Sequence, residues 1–339
     1  MATITEADAV FQGGGVKGLA EAGAVLGFAN HRDVAVQKWV SVAGTSAGAI
    51  IAAYLATDHS PADLEDLLNS IPYRSFEDWG PGGRVIGGTL NLARHHGLAH
   101  GENFRKWFDQ AIGGKTFADV RREDNSSDKT GDPYSLRLIA ADTTQHKMLV
   151  LPADLAAYKV PGTDQAIDPD SFSIANAVRM SMSIPFFFQP VLLEANDTGE
   201  LCTIVDGGVL SNFPVWLFDV PDHDPVRPTF GFHLTGGKAL GDGWEPIAKH
   251  LWPIELAANI FHTTSDAWDQ RFMTQSTVVR TCTISAGDIG TTDFNLTDAQ
   301  KKELLQNGRD AAANFLDSFD PSKYRNTYGR PLAGGLSAG

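Results

Sequence analysis

The sequence predicts an α/β fold with a mostly parallel central sheet, and two observations carry that prediction. Residues 7–12 form an apolar, strand-length run that enters a glycine-rich turn and then an apolar helix over 19–30. The same order of strand, glycine turn and helix recurs over 39–58. A repeated strand, turn and helix is typical of parallel sheets, because the helix returns the chain to the start of a neighbouring strand.

The length allows two domains or one large one, and one is favoured because no stretch is rich enough in Pro, Ser or charge to indicate a linker. The 339 residues are 42% hydrophobic and 20% charged, which excludes a disordered or fibrous chain. The formal net charge of −14 argues against a nucleic-acid polymer as partner, because phosphate binding needs a basic surface. We predict a single domain over 1–330 and a disordered tail over 331–339. Inserted loops are expected at about 75–101, 121–133, 157–170 and 219–228.

The remaining elements follow in chain order. Pro61 suits the first turn of a helix over 61–70. Further helices are predicted over 102–112, 173–182, 245–273 and 297–318. Strands are predicted over 135–142, 147–152, 229–234 and 276–284, and a buried strand from 201 ends in a glycine turn at 207–208. A glycine-rich stretch at 80–88 suits either a lid hinge or an ordinary loop.

Cysteine usage and apolar runs indicate the compartment. Cys202 and Cys282 lie in apolar, strand-like runs and are expected to be buried free thiols. The first residues lack the basic and apolar regions of a secretory signal, and no apolar run approaches the ~20 residues of a membrane span. We therefore expect a cytoplasmic protein. Transient contact with a membrane surface and the oligomeric state stay open.

The first glycine turn, residues 13–18, formally matches the dinucleotide-binding pattern G-x-G-x-x-G. That interpretation needs an acidic residue at the end of the second strand, whereas Asp33 precedes this strand. Glycines at a helix N-terminus expose backbone N–H groups to an anion. We therefore favour an oxyanion site for a reaction intermediate, with a purely structural turn as the alternative.

The second turn, residues 44–48, fits G-x-S-x-G between an apolar strand and an Ala-rich helix. Such a turn projects the serine hydroxyl beyond the sheet edge, so Ser46 is the candidate nucleophile. The alternative is that Ser46 only caps the helix. A serine nucleophile needs a base, which is a histidine in the usual triad. In α/β-hydrolase order the candidates lie at positions 223, 233, 250 and 262, and none has a recognisable loop signature.

The third turn offers a carboxylate as the base. Asp206 ends a buried strand and precedes Gly207 and Gly208. In a parallel sheet, an aspartate at the carboxyl end of a strand lies at the edge where such folds place their chemistry. The alternative is that Asp206 supports the turn itself.

Taken together, the three turns resemble the patatin-like phospholipase family. Residues 13–18 are similar to its GGGxxG segment, 44–48 to its GxSxG segment and 206–208 to its DGG segment. A fourth segment, 180–188, has the family's serine-rich helix end, proline and aromatic residue. The C-terminal 293–310 is similar to bacterial members, so the resemblance spans about 8–318. Gln12 departs from the Asp or Ser that many members have before the glycines.

The resemblance implies a three-layer α/β/α sandwich and a serine lipid acyl hydrolase. By carry-over, Ser46 is the nucleophile and Asp206 the base of a dyad without histidine, acting through an acyl-serine intermediate. Gly13, Gly14 and Gly15 line the oxyanion hole. No metal or cofactor is implied, and the substrate is a lipid or phospholipid acyl ester. The other motif residues are Gly18, Gly44, Gly48, Gly207 and Gly208.

Some features leave alternatives open. Phe186, Phe187 and Phe188, with the segment 79–98, are candidates for acyl-pocket walls or a lid, and core packing is the alternative for the phenylalanines. A Ser-His-Asp esterase of the α/β-hydrolase type is a second hypothesis for the function. A ligand-activated, membrane-degrading phospholipase effector of bacterial defence or signalling is a third. A non-catalytic binding module would leave Ser46 and Asp206 without a shared explanation.

Overall fold

A computed structural model describes residues 4–32, 34–71, 97–122, 131–219, 226–236, 275–291 and 293–327. The strands are β1 (Ile4–Phe11), β2 (Val36–Thr45), β3 (Gly97–Ala99), β4 (Leu136–Asp142), β5 (Lys147–Leu151), β6 (Tyr158–Lys159), β7 (Phe186–Phe188), β8 (Val191–Ala195), β9 (Leu201–Asp206), β10 (Thr229–Thr235) and β11 (Thr281–Ser285). The α-helices are α1 (Gly18–Asn30), α2 (Ala47–Ala56), α3 (Pro61–Ser70), α4 (Glu102–Ala111), α5 (Ile174–Ser181), α6 (Gln275–Val279), α7 (Asp298–Ser318) and α8 (Pro321–Thr327). The stretch at 80–88, the helix predicted over 245–273 and the tail at 331–339 lie outside the described residues.

The main sheet has a parallel half and an antiparallel half. Five strands run parallel in the order β11-β10-β1-β2-β4. Beyond them, β5 and β9 pair antiparallel with β4, and β8 and β6 continue antiparallel from β9. The predicted fold class, an α/β protein with a mostly parallel central sheet, is confirmed, and the antiparallel pairs extend that sheet on one side.

Strands β2 and β9 lie end to end on the same side of β4. The first half of β4 pairs with β2 up to Thr45, which is opposite Ile139. The second half pairs with β9, and Asp206 is opposite Ala140. Strand β5 pairs across both halves and therefore occupies the other side of β4. Because β2 and β9 run in opposite directions, their carboxyl ends face each other at the middle of β4.

Both faces of the sheet are covered, as expected for a three-layer sandwich. On β1, Ala9 and Phe11 belong to the large core that includes residues of α1, α2, α3 and α7. Val10, between them, belongs to a second cluster with Phe213, Val215 and Phe218. Alternate residues of a strand point to opposite faces, so these two clusters lie on opposite sides of the sheet.

Local sequence explains where several helices begin. Ser60 accepts a hydrogen bond from the Asp63 N–H, while the Asp63 carboxylate accepts one from the Ser60 N–H, which forms a capping box before α3. Thr297 and Gln300 form the same motif before α7. Helix α2 is buried over nearly its whole length, which its run of alanine and isoleucine permits. Within the described residues, no helix combines the length and apolarity needed to cross a bilayer.

Two predictions about elements need correction. The strand predicted over 276–284 begins as helix α6, and only its second half is strand β11. Arg280, between the two elements, is fully buried and makes a bidentate ion pair with Asp219, a distant contact that the local apolar pattern does not report. The aromatic run forms strand β7, which pairs with β3 inside the predicted loop at 75–101. The free, buried state predicted for Cys202 and Cys282 is confirmed.

Candidate active site

Ser46 lies in the tight turn between β2 and α2. Its backbone adopts φ 54° and ψ −122°, which is a strained conformation for a residue with a side chain, and the residue is only 6% exposed. A Cβ atom on Gly44 would overlap the backbone of Gly48, and one on Gly48 would lie 2.5 Å from the Phe11 carbonyl oxygen. The turn therefore needs glycine at both positions, as the G-x-S-x-G pattern predicts.

A second serine supports this strained turn. The Ser46 N–H donates to Ser181 Oγ over 2.9 Å. The Ser181 hydroxyl in turn donates to the Ile139 carbonyl over 2.6 Å. Ser181 is fully buried at the end of α5, so it links the turn to the middle of β4. Ser181 belongs to the segment 180–188 of the family resemblance, and no local pattern marks its contact with the Ser46 turn.

Asp206 ends β9 and is fully buried. Its N–H donates to the Ser183 carbonyl over 2.9 Å, and its Oδ1 accepts a hydrogen bond from the Gly208 N–H over 2.7 Å. Its other oxygen, Oδ2, has no hydrogen-bond partner within the part of the chain that the structure describes. A Cβ on Gly207 would overlap the Ile139 carbonyl, so glycine is needed directly after Asp206.

The environment of Asp206 makes its carboxyl a stronger base. Burial raises the pKa of Asp206 to about 7, because the ionised form loses its hydration. Interactions with the Ser46 side chain and the Gly208 N–H oppose this shift. The Ser46 hydroxyl is thus close enough to lower the pKa of the carboxyl, although Oδ2 of Asp206 accepts no hydrogen bond from it.

The glycine turn at 13–18 passes beside Ser46. A Cβ on Gly13 would lie 3.1 Å from the Ser46 Cβ. The Gly13 N–H donates to the Asn212 carbonyl over 3.0 Å and is therefore engaged. The N–H groups of Gly14 and Gly15 have no acceptor among the described residues. Gly14 precedes and Gly15 begins the 3-10 turn that leads into α1, where the helix dipole favours negative charge.

An apolar cavity adjoins Ser46. Its volume is about 40 Å³, enough for a few water molecules and too small for a long acyl chain. Apolar side chains from α2, α3, α4 and the segment around β7 form much of its wall, among them Ile50, Ile51, Leu68, Ile71, Phe104 and Phe188. The cavity therefore offers an apolar environment directly beside the candidate nucleophile.

Of the three phenylalanines proposed for an acyl pocket, only Phe188 lines this cavity. Phe187 is buried and packs its ring against Phe188 and Phe294. Phe186 is 41% exposed, with φ 68°. A regular strand would place Phe186 and Phe188 on one face, and the unusual backbone at Phe186 breaks this alternation. The segment 79–98 lies mostly outside the described residues.

The remaining motif positions differ in their need for glycine. A Cβ on Gly18 would make an ordinary contact of 3.5 Å with the Ala47 Cβ. Gly208 contributes its N–H to Asp206. Of the histidines considered as a base, His233 lies on β10 with its ring against Phe213. The other three lie outside the described residues.

Comparisons with known proteins agree with this architecture. Residues 9–219 match the family described as patatin-like phospholipase. Over 323 residues the chain is 36% identical to the protein YqhO of Bacillus subtilis (strain 168), which covers 92% of this chain and 98% of YqhO. The crystal structure of VipD from Legionella pneumophila is similar with a TM-score of 0.51 at 18% identity, over 92% of this chain and 67% of VipD. The VipD match supports the fold, and the family match covers more than half of the sequence. The chain belongs to the patatin-like phospholipase family.

Proposed function

We propose that this protein hydrolyses acyl esters of lipids with Ser46 as nucleophile and Asp206 as general base. The observation that carries the proposal is the buried Asp206 carboxyl beside the Ser46 side chain, with a pKa raised to about 7. A base with a pKa near the working pH is the most effective in proton transfer. Family membership supports the substrate class, and the apolar lining of the small cavity beside Ser46 is compatible with the first carbons of an acyl chain.

In the first half of the reaction, the Ser46 hydroxyl oxygen attacks the ester carbonyl carbon and its proton passes to Asp206. Oδ2 is the carboxylate oxygen without a partner among the described residues, so it is the proposed acceptor of the proton. The carbonyl oxygen becomes an oxyanion and accepts hydrogen bonds from the N–H groups of Gly14 and Gly15. The ester C–O bond then breaks, and the leaving oxygen takes the proton from Asp206.

The second half regenerates the enzyme. The acyl group is now esterified to Ser46, and a water molecule attacks its carbonyl carbon while Asp206 accepts a proton from the water. The same oxyanion donors stabilise the second tetrahedral intermediate. Collapse of this intermediate releases a fatty acid, and the proton on Asp206 returns to the Ser46 oxygen. Phospholipase A and lipase-type esterase activities both follow this scheme.

The test is product analysis with matched variants. Ser46→Ala and Asp206→Asn are incubated with phospholipids and neutral lipids, and released fatty acids are measured by mass spectrometry. Ser318→Ala and Asp310→Asn, which are exposed on α7 and do not line the cavity beside Ser46, serve as controls. We expect release by the wild type and both controls, and loss of at least about 10³-fold in each site variant. Substantial activity in a folded Asp206→Asn protein would contradict the dyad.

The same assay separates the dyad from a Ser-His-Asp triad. Alanine is substituted singly for the histidines at positions 223, 233, 250 and 262. The proposal expects every one of these variants to retain hydrolysis, because Asp206 supplies the base. Loss of activity in one folded histidine variant, with Asp206→Asn active, would favour the triad.

A further inference from the structure

We infer that Asn212 is a positioning residue that orients the oxyanion-binding N–H of Gly14. The inference rests on the proposed function, because it assigns a role within that site. Asn212 lies in the segment 207–212 that follows the proposed base. It is distinct from the nucleophile, the base and the glycines that line the oxyanion hole.

The first observation is a reciprocal pair of hydrogen bonds between Asn212 and Gly13. The Asn212 side-chain Nδ2 donates to the Gly13 carbonyl over 2.9 Å. The Gly13 N–H donates to the Asn212 main-chain carbonyl over 3.0 Å. Both polar groups of Gly13 are therefore bound by one residue that lies 199 positions further along the chain.

Because the peptide bond is planar, the contact at the Gly13 carbonyl also affects the orientation of the Gly14 N–H. The carbonyl of Gly13 and the N–H of Gly14 belong to one planar trans peptide unit and point in opposite directions. When Asn212 Nδ2 binds the Gly13 oxygen, it fixes the plane in which the Gly14 N–H lies. That N–H has no acceptor among the described residues, so it is held on the side of the peptide opposite Asn212.

The Asn212 side chain lies so close to Gly13 that position 13 has no room for a Cβ atom. A Cβ on Gly13 would overlap the Asn212 Oδ1 atom. Glycine at position 13 therefore leaves room for the Asn212 side chain, in addition to its place beside Ser46. The first glycine of the motif is therefore needed to accommodate Asn212, whether or not its N–H donates to the oxyanion.

The segment 207–212 also touches the other two turns. Ser211 N–H donates to the Gly207 carbonyl over 3.0 Å, which closes the segment just after Asp206. The Ser211 carbonyl accepts a hydrogen bond from the Thr45 hydroxyl over 3.0 Å, next to Ser46. The segment thus joins the base, the nucleophile turn and the glycine turn, with Asn212 at the contact with the glycine turn.

The test uses Asn212→Ala and a soluble short-chain p-nitrophenyl ester. We expect kcat to fall about 10²-fold with KM within about threefold of wild type, because misplacement of a stabilising group affects the transition state more than the bound substrate. The matched control is Asn307→Ala, since Asn307 Nδ2 also donates to a main-chain carbonyl but lies on α7 at the surface. This control is expected to keep wild-type kcat.

A second readout separates positioning from general stability. A trifluoromethyl ketone that forms an oxyanion adduct on Ser46 should bind the Asn212→Ala variant more weakly by the same factor as the fall in kcat/KM. Asn212→Asp keeps the side-chain shape but replaces the Nδ2 donor with an oxygen, which cannot donate to the Gly13 carbonyl when it is ionised. The loss of kcat and of inhibitor affinity should therefore be at least as large. If Asn212→Ala fails to fold, Asn212→Asp provides the same measurement.

Two outcomes overturn distinct statements. Wild-type kcat and inhibitor affinity in folded Asn212→Ala or Asn212→Asp would refute the positioning role while leaving the dyad intact. Absence of Ser46-dependent hydrolysis in the wild type would instead refute the proposed function.

Discussion

At the scale of single residues, the site combines a strained serine with a desolvated carboxyl. Ser46 is held at positive φ by its neighbours and by the hydrogen bond from its N–H to Ser181. Asp206 is buried beside it with one oxygen lacking a partner among the described residues. Both features cost stability, and such costs are typical of sites where function is selected over stability.

The raised pKa of Asp206 predicts how activity depends on pH. The base must be ionised, so kcat/KM for a soluble ester should rise with pH through about 7 and level off above it. Below that pH, activity should fall about tenfold for each pH unit. The measurement is a pH–rate profile between pH 5 and 9. A profile that is flat across this range would show that Asp206 does not act as the base.

The same carboxyl predicts a pH-dependent gain in stability for Asp206→Asn. The pKa of Asp206 is 3.8 in the unfolded chain and about 7 in the folded protein. As pH rises through this window, the unfolded state loses a proton that the folded state keeps, so the wild type loses stability until about pH 7. Asp206→Asn avoids this loss and should be more stable at pH 8 by up to about 4 kcal/mol.

Urea unfolding at pH 4 and pH 8 measures this difference. The Asn substitution should raise the midpoint markedly at pH 8 and little at pH 4. A wild-type midpoint at pH 8 equal to or above that of the variant would contradict the raised pKa.

Sequence patterns predicted the residues that are marked by local motifs, and missed those that act through distant contacts. Ser46 and Asp206 lie in short glycine-containing turns whose geometry is encoded by adjacent residues. Ser181 contacts Ser46 across 135 positions, and Asn212 contacts Gly13 across 199. No local spacing reports such contacts, although Asn212 does follow the DGG segment closely.

At the scale of elements, the meeting of two strand ends builds the site. The apolar strand before Asp206 predicts a place at the edge of a parallel sheet, and this prediction is wrong in one respect, because β9 runs antiparallel to β4. The carboxyl end of β9 nevertheless meets that of β2, because both strands pair along the same side of β4. Strand direction depends on distant pairing, so a strand recognised by its apolar pattern does not reveal it.

Helix α3 provides a test of the acyl-binding role of the cavity. Leu68 lines the cavity, whereas Leu64, one turn earlier, is fully buried elsewhere in the core. Leu68→Ala should enlarge the cavity and move the preferred substrate toward longer acyl chains. Both Leu68→Ala and Leu64→Ala should lose about 2–5 kcal/mol of stability.

Relative rates on p-nitrophenyl esters of increasing chain length measure this effect. The chain-length preference should shift in Leu68→Ala and stay at wild type in Leu64→Ala. An unchanged preference in Leu68→Ala, or an equal shift in both variants, would argue against this cavity as the acyl site.

At the scale of the whole molecule, the fold extends beyond the family match. Strand β10 pairs with β1, and Phe230 and Phe232 on it are fully buried. Helix α7 packs so closely on α1 that a Cβ on Gly308 would overlap the Ala20 carbonyl. The described residues after 219 therefore complete the same sheet and the same core as the proposed site, and the single domain over 1–330 stays a prediction.

Truncation tests this dependence. A chain ending at residue 219 loses β10, β11 and α7 and should aggregate, without a cooperative unfolding transition. A chain ending at residue 330 lacks only the tail that the sequence predicts to be disordered, and should keep wild-type stability. A soluble and active 1–219 fragment would show that the remaining strands are dispensable.

The central claim is that Asp206 activates Ser46 for attack on an ester, and covalent labelling tests it most directly. A fluorophosphonate probe reacts with an activated serine, and mass spectrometry of the digested protein identifies the labelled residue. We predict stoichiometric labelling at Ser46 in the wild type, no labelling in Ser46→Ala, and a rate reduced at least about 10³-fold in Asp206→Asn at pH 8. Labelling of another serine, or a wild-type rate in folded Asp206→Asn, would contradict it.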